Sequence, residues 1–123
     1  MADIIATPKA PSAIGPYVQA QASGGFVFVS GQLGMDLEGN LPGDFETQAH
    51  NALKNLSNIL VASGSSLSKV LKTTVFLSDL ENFAKLNAIY ADYFKAPCPA
   101  RSCFEVARLP KDALVEVEAI AER

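Results

Sequence analysis

The stretch Phe26-Val27-Phe28-Val29 is apolar at every position. Successive side chains of a strand point to opposite faces, so the two phenylalanines would face one side and the two valines the other. A strand that is apolar on both faces must be covered on both sides. Ser23-Gly24-Gly25 before it is typical of a hairpin turn, and Ser30-Gly31-Gln32 after it predicts the end of the strand or a bulge.

Hydrophobic spacing on either side of this stretch predicts another strand and a first helix. Residues Tyr17 to Ala22 alternate as a half-buried strand does, and the prolines before them place the first regular element near Tyr17. Asp44 is a suitable N-cap for the helix, and Gly64 is a suitable C-terminal stop. The apolar positions of that helix recur at helical spacing: Phe45, Ala49, Ala52, Leu53, Leu56, Ile59 and Leu60.

The second half of the chain predicts a strand, a second helix and two final strands. The first of these strands runs from Val70 to Leu77, and one of its faces would carry Leu71, Thr73, Val75 and Leu77. Asp79 is a candidate cap for the second helix, which Pro97 and Pro99 would end. The stripe of that helix is Phe83, Leu86, Tyr90, Tyr93 and Phe94. The final strands are predicted at Arg101–Arg108 and Leu114–Ala121.

The length and the element order define the fold class. With 123 residues, the chain is predicted to form a single domain over residues 1–123, since domains average ~150 residues. The elements describe an α+β fold, a mixed sheet of about six strands with two helices packed on one face. The other face, with Phe26 and Phe28, is left without cover. Because charged residues are only 19% of the chain, we expect another copy of the chain to bury that face.

The composition argues against several classes of protein. Thirteen acids and ten bases give a net charge of −3, and no cluster of basic residues suits a nucleic acid. The longest apolar runs, such as Ile59-Leu60-Val61-Ala62, are far below the ~20 residues that span a bilayer. The first residues lack the features of a signal or transit peptide, and Cys98 and Cys103 are too close in sequence to staple a fold. We expect a reduced, cytoplasmic protein without a membrane partner.

The residues of the common catalytic classes are also missing from the sequence. His50 is the single histidine, and it lies off the apolar stripe of the first helix, which favours a solvated position. The sequence offers no histidine beside a nucleophile, no zinc-ligand spacing and no nucleotide-binding glycine loop. An enzyme with this sequence is therefore expected to use few groups, no metal and no cofactor.

Unusual charged residues are concentrated in the last two strands. Alternation places Arg101, Cys103 and Glu105 on one face, and it places Glu116 and Glu118 on a face with leucine and isoleucine. One interpretation is a solvated sheet edge with a structural Arg–Glu pair. The other is a fixed guanidinium that binds a substrate carboxylate through two hydrogen bonds, with a carboxylate nearby to orient water. The alternation leaves both interpretations open.

Other polar positions also have a structural and a functional interpretation. Asn87 lies on the stripe of the second helix, where it either bonds a loop carbonyl or contacts a ligand. Tyr17 fits a core or interface position, and the glycine of Ser30-Gly31 would let a backbone or a ligand come close. Cys103 has no visible activator, which favours a packed thiol whose backbone N–H could still serve a site.

Four segments of the chain also match a known pattern. They are Gly15-Pro16-Tyr17, Ser30-Gly31-Gln32, Asn82-Phe83 with Asn87 and Tyr90, and Pro99 to Cys103 continuing to Arg108-Leu109-Pro110-Lys111. Together they resemble the RidA/YjgF family of reactive-intermediate deaminases, from about Ile14 to Ala121, with the C-terminal segment the most specific part. Val18 stands where serine is common in the family, a departure that leaves the implied chemistry unchanged.

This resemblance implies a chorismate-mutase-like α+β fold, assembled as a homotrimer with three clefts between subunits. It implies hydrolysis of 2-iminopropanoate and 2-iminobutanoate to 2-keto acids and ammonia. By motif match, Arg101 would hold the substrate carboxylate and Glu116 would position or activate the attacking water. Cys103 and Gly31 would contribute backbone contacts. The cleft, with residues from two subunits, would also be lined by Tyr17, Ser30 and Asn87.

Two other functions are left open by the sequence. The history of the same family includes an RNA-directed activity, as an endoribonuclease or translation inhibitor, against which the acidic balance argues. A non-catalytic protein could instead bind a small carboxylate through Arg101, although the presence of both Arg101 and Glu116 favours catalysis. Whether Glu116 or Glu118 faces the cleft depends on strand register, which the sequence does not give.

Overall fold

A computed structural model describes residues 2–123 and contains a mixed sheet of six strands with two α-helices. The strands are β1 (Asp3–Ile5), β2 (Ala20–Ser23), β3 (Phe26–Leu33), β4 (Val70–Leu77), β5 (Ala100–Glu105) and β6 (Val115–Glu122). The helices are α1 (Phe45–Ala62) and α2 (Phe83–Tyr93). The order across the sheet is β1-β2-β3-β6-β4-β5, in which β4 and β5 are parallel and the other neighbours are antiparallel. The predicted α+β class and mixed sheet are confirmed.

Both helices lie on the same side of the sheet. α1 packs over β3 and β6 and against α2. Alternate residues of the central strands point toward the helices, so Val27, Val75 and Val117 are fully buried. Each such side chain contributes roughly 1.5–3 kcal/mol by leaving water. Within residues 2–123, no helix is long and apolar enough to cross a membrane.

The two helices begin close to the predicted residues. The carboxylate of Asp44 accepts a hydrogen bond of 2.9 Å from the backbone N–H three residues on, which confirms the N-cap of α1. Gly64 follows the end of α1 with a φ of +83°, a conformation that favours glycine. Asp79 caps the 3-10 turn Leu80–Asn82, and α2 itself starts at Phe83.

The N-terminal region contains a strand that the sequence did not predict. Residues Asp3–Ile5 pair antiparallel with β2, although regular structure was expected to start near Tyr17. Three residues are too few to display a recognisable alternation, so this strand carried no signal. Tyr17 lies in the loop before β2. The buried side chain of Gln19 bonds backbone atoms of residues 7, 10 and 11 and so ties that loop to the sheet.

Bulges in β3 and β4 decide which side chains face the helices. In β3, Val29 and Gln32 pair with residues 119 and 117 of β6, so one residue of Ser30-Gly31 is extra, and the predicted bulge is confirmed. In β4, Val70 and Lys72 pair with residues 121 and 120, which leaves Leu71 as the extra residue. Leu71 is therefore exposed, and its predicted position on the buried face is wrong.

Two further expectations are corrected by the structure. His50 is half-buried, and its Nδ1 lies 2.9 Å from the hydroxyl of Tyr93 on α2, so the predicted solvated position is wrong. The reason is that α2 packs against the flank of α1 beside the apolar stripe. The strand predicted to run to Arg108 ends at Glu105, whose carboxylate accepts a hydrogen bond from the backbone N–H of Leu80.

The face of the sheet opposite the helices carries exposed apolar side chains. Phe26 and Phe28 are 41% and 49% exposed, and Phe104 and Ile120 lie exposed on the same face. Loops cover only one end of this face, where a second apolar cluster forms from Leu33, Met35, Leu109 and Ala113. We call the exposed part, defined by Phe26, Phe28, Phe104 and Ile120, the open face.

Candidate active site

The predicted site residues form two groups on opposite faces of the sheet. Residues directly opposite each other on neighbouring strands point to the same face. Arg101 of β5 pairs with Thr73 of β4, which is fully buried beneath the helices. Glu116 of β6 pairs with Phe76 of β4. Phe76 is three residues from Thr73, so its side chain points to the other face of the sheet. The sheet therefore lies between Arg101 and Glu116 of the same chain.

Arg101 lies on the edge strand, beside the aromatic side chains of α2. Its guanidinium carbon is 4.8 Å from the ring centre of Tyr90 and 5.6 Å from that of Phe83. Across residues 2–123, the Arg101 side chain forms neither an ion pair nor a hydrogen bond, and it is half-buried. The guanidinium donors are thus available to an anion, and the structural Arg–Glu pair that the sequence left open is not formed in the described part of the chain.

Asn87 and Cys103 lie near Arg101. Asn87 is one helical turn from both Phe83 and Tyr90, so it shares their face of α2, and its half-buried amide forms no hydrogen bond within residues 2–123. Burial raises the pKa of the Cys103 thiol, and the nearby Arg101 charge opposes this only in part. The thiol is therefore protonated at neutral pH, which suits a packed residue better than a nucleophile.

The second group of site residues lines a cavity of about 490 Å³ on the other side of the sheet. The loop before β2 forms one wall, the bulge of β3 and the start of the following loop form another, and β6 contributes its first carboxylate. The loop lies against β3 because the backbone carbonyl of Gln19 accepts a hydrogen bond of 2.9 Å from the N–H of Ser30, while the Gln19 side chain bonds backbone atoms of the loop itself. The residues that line the cavity include Pro11, Ile14, Tyr17, Ser30, Gly31, Leu33, Met35, Lys111 and Glu116.

Gly31 and Glu116 are in close contact within this cavity. A Cβ atom added at Gly31 would lie 2.6 Å from Oε2 of Glu116 and 2.8 Å from its carboxyl carbon. Any larger residue would displace the carboxylate, because contacts this short are essentially never seen. The glycine in the bulge of β3 therefore determines where the Glu116 carboxylate lies. The sequence predicted that a backbone or a ligand would come close at Gly31, whereas the group that lies against it in the structure is this side chain.

The register also distinguishes Glu116 from Glu118. Both point to the same side of the sheet, but Glu116 lines the cavity, whereas Glu118 lies two residues further along and is exposed. Burial raises the pKa of the Glu116 carboxyl, and the negative charge of Glu118 raises it further. A carboxylate with a raised pKa is a better proton acceptor than an ordinary glutamate at the same position.

The hydroxyl groups of Ser30 and Tyr17 complete this wall. The Ser30 hydroxyl donates a hydrogen bond of 2.6 Å to the carbonyl of Val18, so its proton is used and its two lone pairs remain to accept hydrogen bonds. The Tyr17 hydroxyl accepts a bond of 3.3 Å from the backbone N–H of Ile14, and its proton remains for another acceptor. Tyr17 itself is 49% exposed at the mouth of the cavity.

The structure adds residues that sequence reasoning did not assign to the site. The residues around Arg101 are Thr73, Phe83 and Tyr90. The sequence indicated two of them in part, because Phe83 and Tyr90 lie at helical spacing from Asn87, at i, i+4 and i+7. The contact with Thr73 requires the β4–β5 register and had no sequence signal. Lys111 lines the cavity with a φ of +58°, and its ammonium donates to the carbonyl of Gly39.

Comparisons with known proteins place these features in a family. The sequence model of the family described as endoribonuclease L-PSP matches residues 7–123. The Escherichia coli protein named 2-iminobutanoate/2-iminopropanoate deaminase is 47% identical, over 100% of this chain and 99% of its own length. The E. coli protein named putative reactive intermediate deaminase TdcF is also 47% identical, over 100% of this chain and 98% of its own.

Solved structures agree with the sequence comparison. The crystal structure of E. coli TdcF with bound serine has a TM-score of 0.95 and 47% identity, and covers 98% of both chains. A putative endoribonuclease L-PSP from Entamoeba histolytica has a TM-score of 0.97 and 44% identity, and covers 100% of both chains. The matches span the whole described fold, including both groups of site residues. The chain therefore belongs to the endoribonuclease L-PSP family, which is the RidA/YjgF family.

Proposed function

We propose that this protein hydrolyses reactive 2-imino acids, such as 2-iminopropanoate and 2-iminobutanoate, to 2-keto acids and ammonia. The observation that carries the proposal is the Arg101 guanidinium, which has two aromatic rings beside it and no acidic partner within residues 2–123. An E. coli relative that is 47% identical along the whole chain is named for this activity, and a second is named as a putative reactive intermediate deaminase. Arg101 would hold the substrate carboxylate through two parallel hydrogen bonds.

The reaction needs little beyond orientation and one proton acceptor. The imine carbon is already electrophilic, so a water molecule adds to it without a covalent enzyme intermediate. Glu116 would accept the proton of that water as the new C–O bond forms. The same carboxyl would then give this proton to the nitrogen, which has received the electron pair of the C=N bond. In a second transfer it would take the proton of the new hydroxyl group and pass it to the nitrogen, so that the C–N bond breaks, the C=O bond forms and ammonia leaves. Holding the carboxylate in place against one water supplies much of the acceleration, and the proton acceptor adds about 10²–10⁴-fold.

The proposed site is built from two copies of the chain. Arg101, Asn87 and Cys103 of one copy lie on the helix side of the sheet, and the cavity of Glu116 lies on the other side. The backbone of the sheet separates side chains on its two faces, so a three-carbon acid cannot contact both groups in a single chain. We propose a homotrimer in which the β5 edge of each copy meets the cavity of its neighbour.

The exposed apolar surface supports this assembly. The open face presents Phe26, Phe28, Phe104 and Ile120 to solvent in the isolated chain. Clustered apolar surface of this kind is typical of protein interfaces. In the assembly, Tyr17, Ser30 and Gly31 would line the cleft beside Glu116, and the backbone of Cys103 would contribute beside Arg101.

A coupled assay tests the activity directly. A threonine or serine dehydratase generates the imine, and the purified protein should increase the rate at which the keto acid appears. Unchanged keto-acid release at every protein concentration would contradict the proposed function. Saturable binding of pyruvate without any such acceleration would instead favour the non-catalytic carboxylate-binding function.

The Arg101→Met variant tests the role of the guanidinium within that assay. Because it removes both hydrogen bonds to the carboxylate, we expect kcat/KM to fall by about 30- to 1,000-fold. Arg101→Lys should recover only a small part of the loss, because an ammonium cannot form the paired bonds. Circular dichroism and sedimentation should match the wild type. A variant that keeps full activity would refute this role.

The charge of the protein argues against an RNA-directed activity. The chain has 13 acidic and 10 basic residues. Among the residues of 2–123 that line the cavity, Lys111 is the one basic side chain and Glu116 is acidic, so the cavity offers an RNA backbone no basic patch. RNA cleavage by the purified protein, lost in a cleft variant, would be the result that revives this alternative.

A further inference from the structure

Arg101 is half-buried, and its side chain is supported by aromatic rings and not by an ion pair. Its guanidinium carbon lies over the rings of both Tyr90 and Phe83, at 4.8 and 5.6 Å from their centres. Both distances are within the ~6 Å at which an aromatic face attracts a cation. In the described part of the chain, the Arg101 guanidinium forms no ion pair with a carboxylate and donates no hydrogen bond.

The nearer ring is itself fixed in position. The Tyr90 hydroxyl lies 2.7 Å from the hydroxyl of Thr73, which is fully buried in β4 directly opposite Arg101. The Tyr90 ring also packs against Phe94, with 4.5 Å between ring centres. Tyr90 is thus held at its hydroxyl end by the sheet and at its ring by Phe94, the residue that follows α2. Such a ring is a rigid support for a long side chain that would otherwise sample many rotamers.

This support differs from an ion pair in one functional respect. A carboxylate partner would occupy the N–H donors of Arg101 and would compete with the carboxylate of a substrate. An aromatic face attracts the positive charge while leaving those donors unused. The two rings therefore hold the Arg101 guanidinium in place and leave its N–H donors available to a ligand.

We propose that Tyr90, anchored by Thr73 and assisted by Phe83, is the positioning residue that orients Arg101 toward the substrate carboxylate. The inference rests on the proposed function, in which Arg101 binds that carboxylate. It assigns to Tyr90 an effect on substrate affinity. The carboxylate contact is present both in the bound substrate and in the transition state, so its loss raises KM more than it lowers kcat.

The first test compares two tyrosines of the same helix. Tyr90→Leu removes the ring beneath Arg101, and we expect KM, and the Kd for pyruvate, to rise about 5- to 30-fold while kcat stays within about 3-fold. Tyr93→Leu is the matched control, because Tyr93 contacts His50 on α1 and not Arg101. The control should keep the wild-type KM. Equal KM values for both variants would overturn the proposal.

The second test does not depend on whether Tyr90→Leu folds. Starting from Tyr90→Phe, residue 90 is replaced by phenylalanines that carry one and then three ring fluorines, which weaken the negative face at nearly constant volume. The Kd for pyruvate, measured by calorimetry, should rise at each step. A constant Kd along the series would refute the positioning role.

The two proposals fail in distinguishable ways. If the wild-type protein does not accelerate keto-acid release, the deaminase function fails whatever the fluorine series shows. If the wild type is active and Kd stays constant along the series, only the role of Tyr90 fails.

Discussion

At the scale of single residues, Arg101 and Glu116 share one property. Each is half-buried, and neither has an oppositely charged partner within residues 2–123. The ion pairs that do form join exposed residues: Lys85 with Glu46, Arg108 with Asp112, and Arg123 with Asp3. A charge that loses solvation without a partner costs stability, and such costs are concentrated at functional sites.

The Glu116→Gln variant tests whether the carboxylate acts as a proton acceptor, because it changes the chemistry of the side chain but hardly its volume. The amide occupies nearly the same volume but cannot accept a proton, so we expect kcat to fall by about 10²–10⁴-fold in the dehydratase-coupled assay. Glu118→Gln is the matched control, because Glu118 is exposed and lies outside the cavity. Comparable losses in both variants would contradict the assignment of the proton acceptor to Glu116.

The same substitution has a predicted effect on pH-dependent stability. Burial raises the pKa of Glu116, so the folded state keeps its proton to a higher pH than the unfolded state. The wild type therefore loses stability as pH rises from the ordinary pKa through the folded one. Glu116→Gln avoids this loss, and its urea midpoint should exceed that of the wild type at about pH 7 but match it at about pH 4. A variant that is less stable at about pH 7 would contradict this sign.

At the scale of elements, the bulge of β3 determines the position of the Glu116 carboxylate, the proposed proton acceptor. Gly31→Ala would bring a methyl group to 2.6 Å from Oε2 of Glu116 and displace it. The φ of Gly31 is not in the region that favours glycine, so the backbone itself tolerates alanine. We expect kcat to fall at least about 10-fold, because moving a catalytic group by about 1 Å can lower the rate by about 10²-fold.

Gly43→Ala provides the matched control for that variant. A Cβ atom at Gly43 would meet nothing within 4 Å, and its φ also lies outside the glycine-favouring region. Activity and stability should remain at the wild-type level. If Gly31→Ala is as active as Gly43→Ala, the close contact between the bulge and the carboxylate has no catalytic importance.

Elements were predictable from the sequence where local chemistry determines them. The cap at Asp44, the bulge at Ser30-Gly31 and the alternation of β6 all follow from neighbouring residues. Leu71 was misplaced because no glycine or turn residue marks the bulge between Val70 and Lys72, so that bulge is visible only in the pairing with β6. His50 was misplaced because its neighbour Tyr93 is distant in sequence and meets it only when the helices pack.

At the scale of the whole molecule, the important relation is between the two faces of the sheet. Alternation places Arg101 with Cys103, and Glu116 with Glu118, but it does not relate one strand to another. That relation needs the β4–β5 and β4–β6 registers, through which Arg101 aligns with Thr73 and Glu116 with Phe76. The motif match predicted the residue identities and a site between subunits, and this register is the observation that supports our proposal of such a site.

Substitution on the open face should disrupt the assembly. Phe28→Lys introduces a charge at a 49% exposed apolar position, and burying that charge without a partner costs several kcal/mol. We expect sedimentation to show monomers at micromolar concentration, together with loss of activity. Val61→Lys on the outer surface of α1, at a 63% exposed position, should leave assembly and activity intact. An active trimer of Phe28→Lys would contradict the proposed interface.

Subunit mixing tests the proposed two-copy site most directly. Arg101→Met and Glu116→Gln chains, each inactive alone, are unfolded, mixed in equal amounts and refolded, and mass spectrometry verifies that mixed assemblies form. If each cleft takes Arg101 from one copy and Glu116 from its neighbour, both groups are intact in one of four random pairings, and about a quarter of wild-type activity returns. Arg101→Met mixed with the double variant should stay inactive. Mixed assemblies of the two single variants with no recovered activity would contradict a site shared between copies.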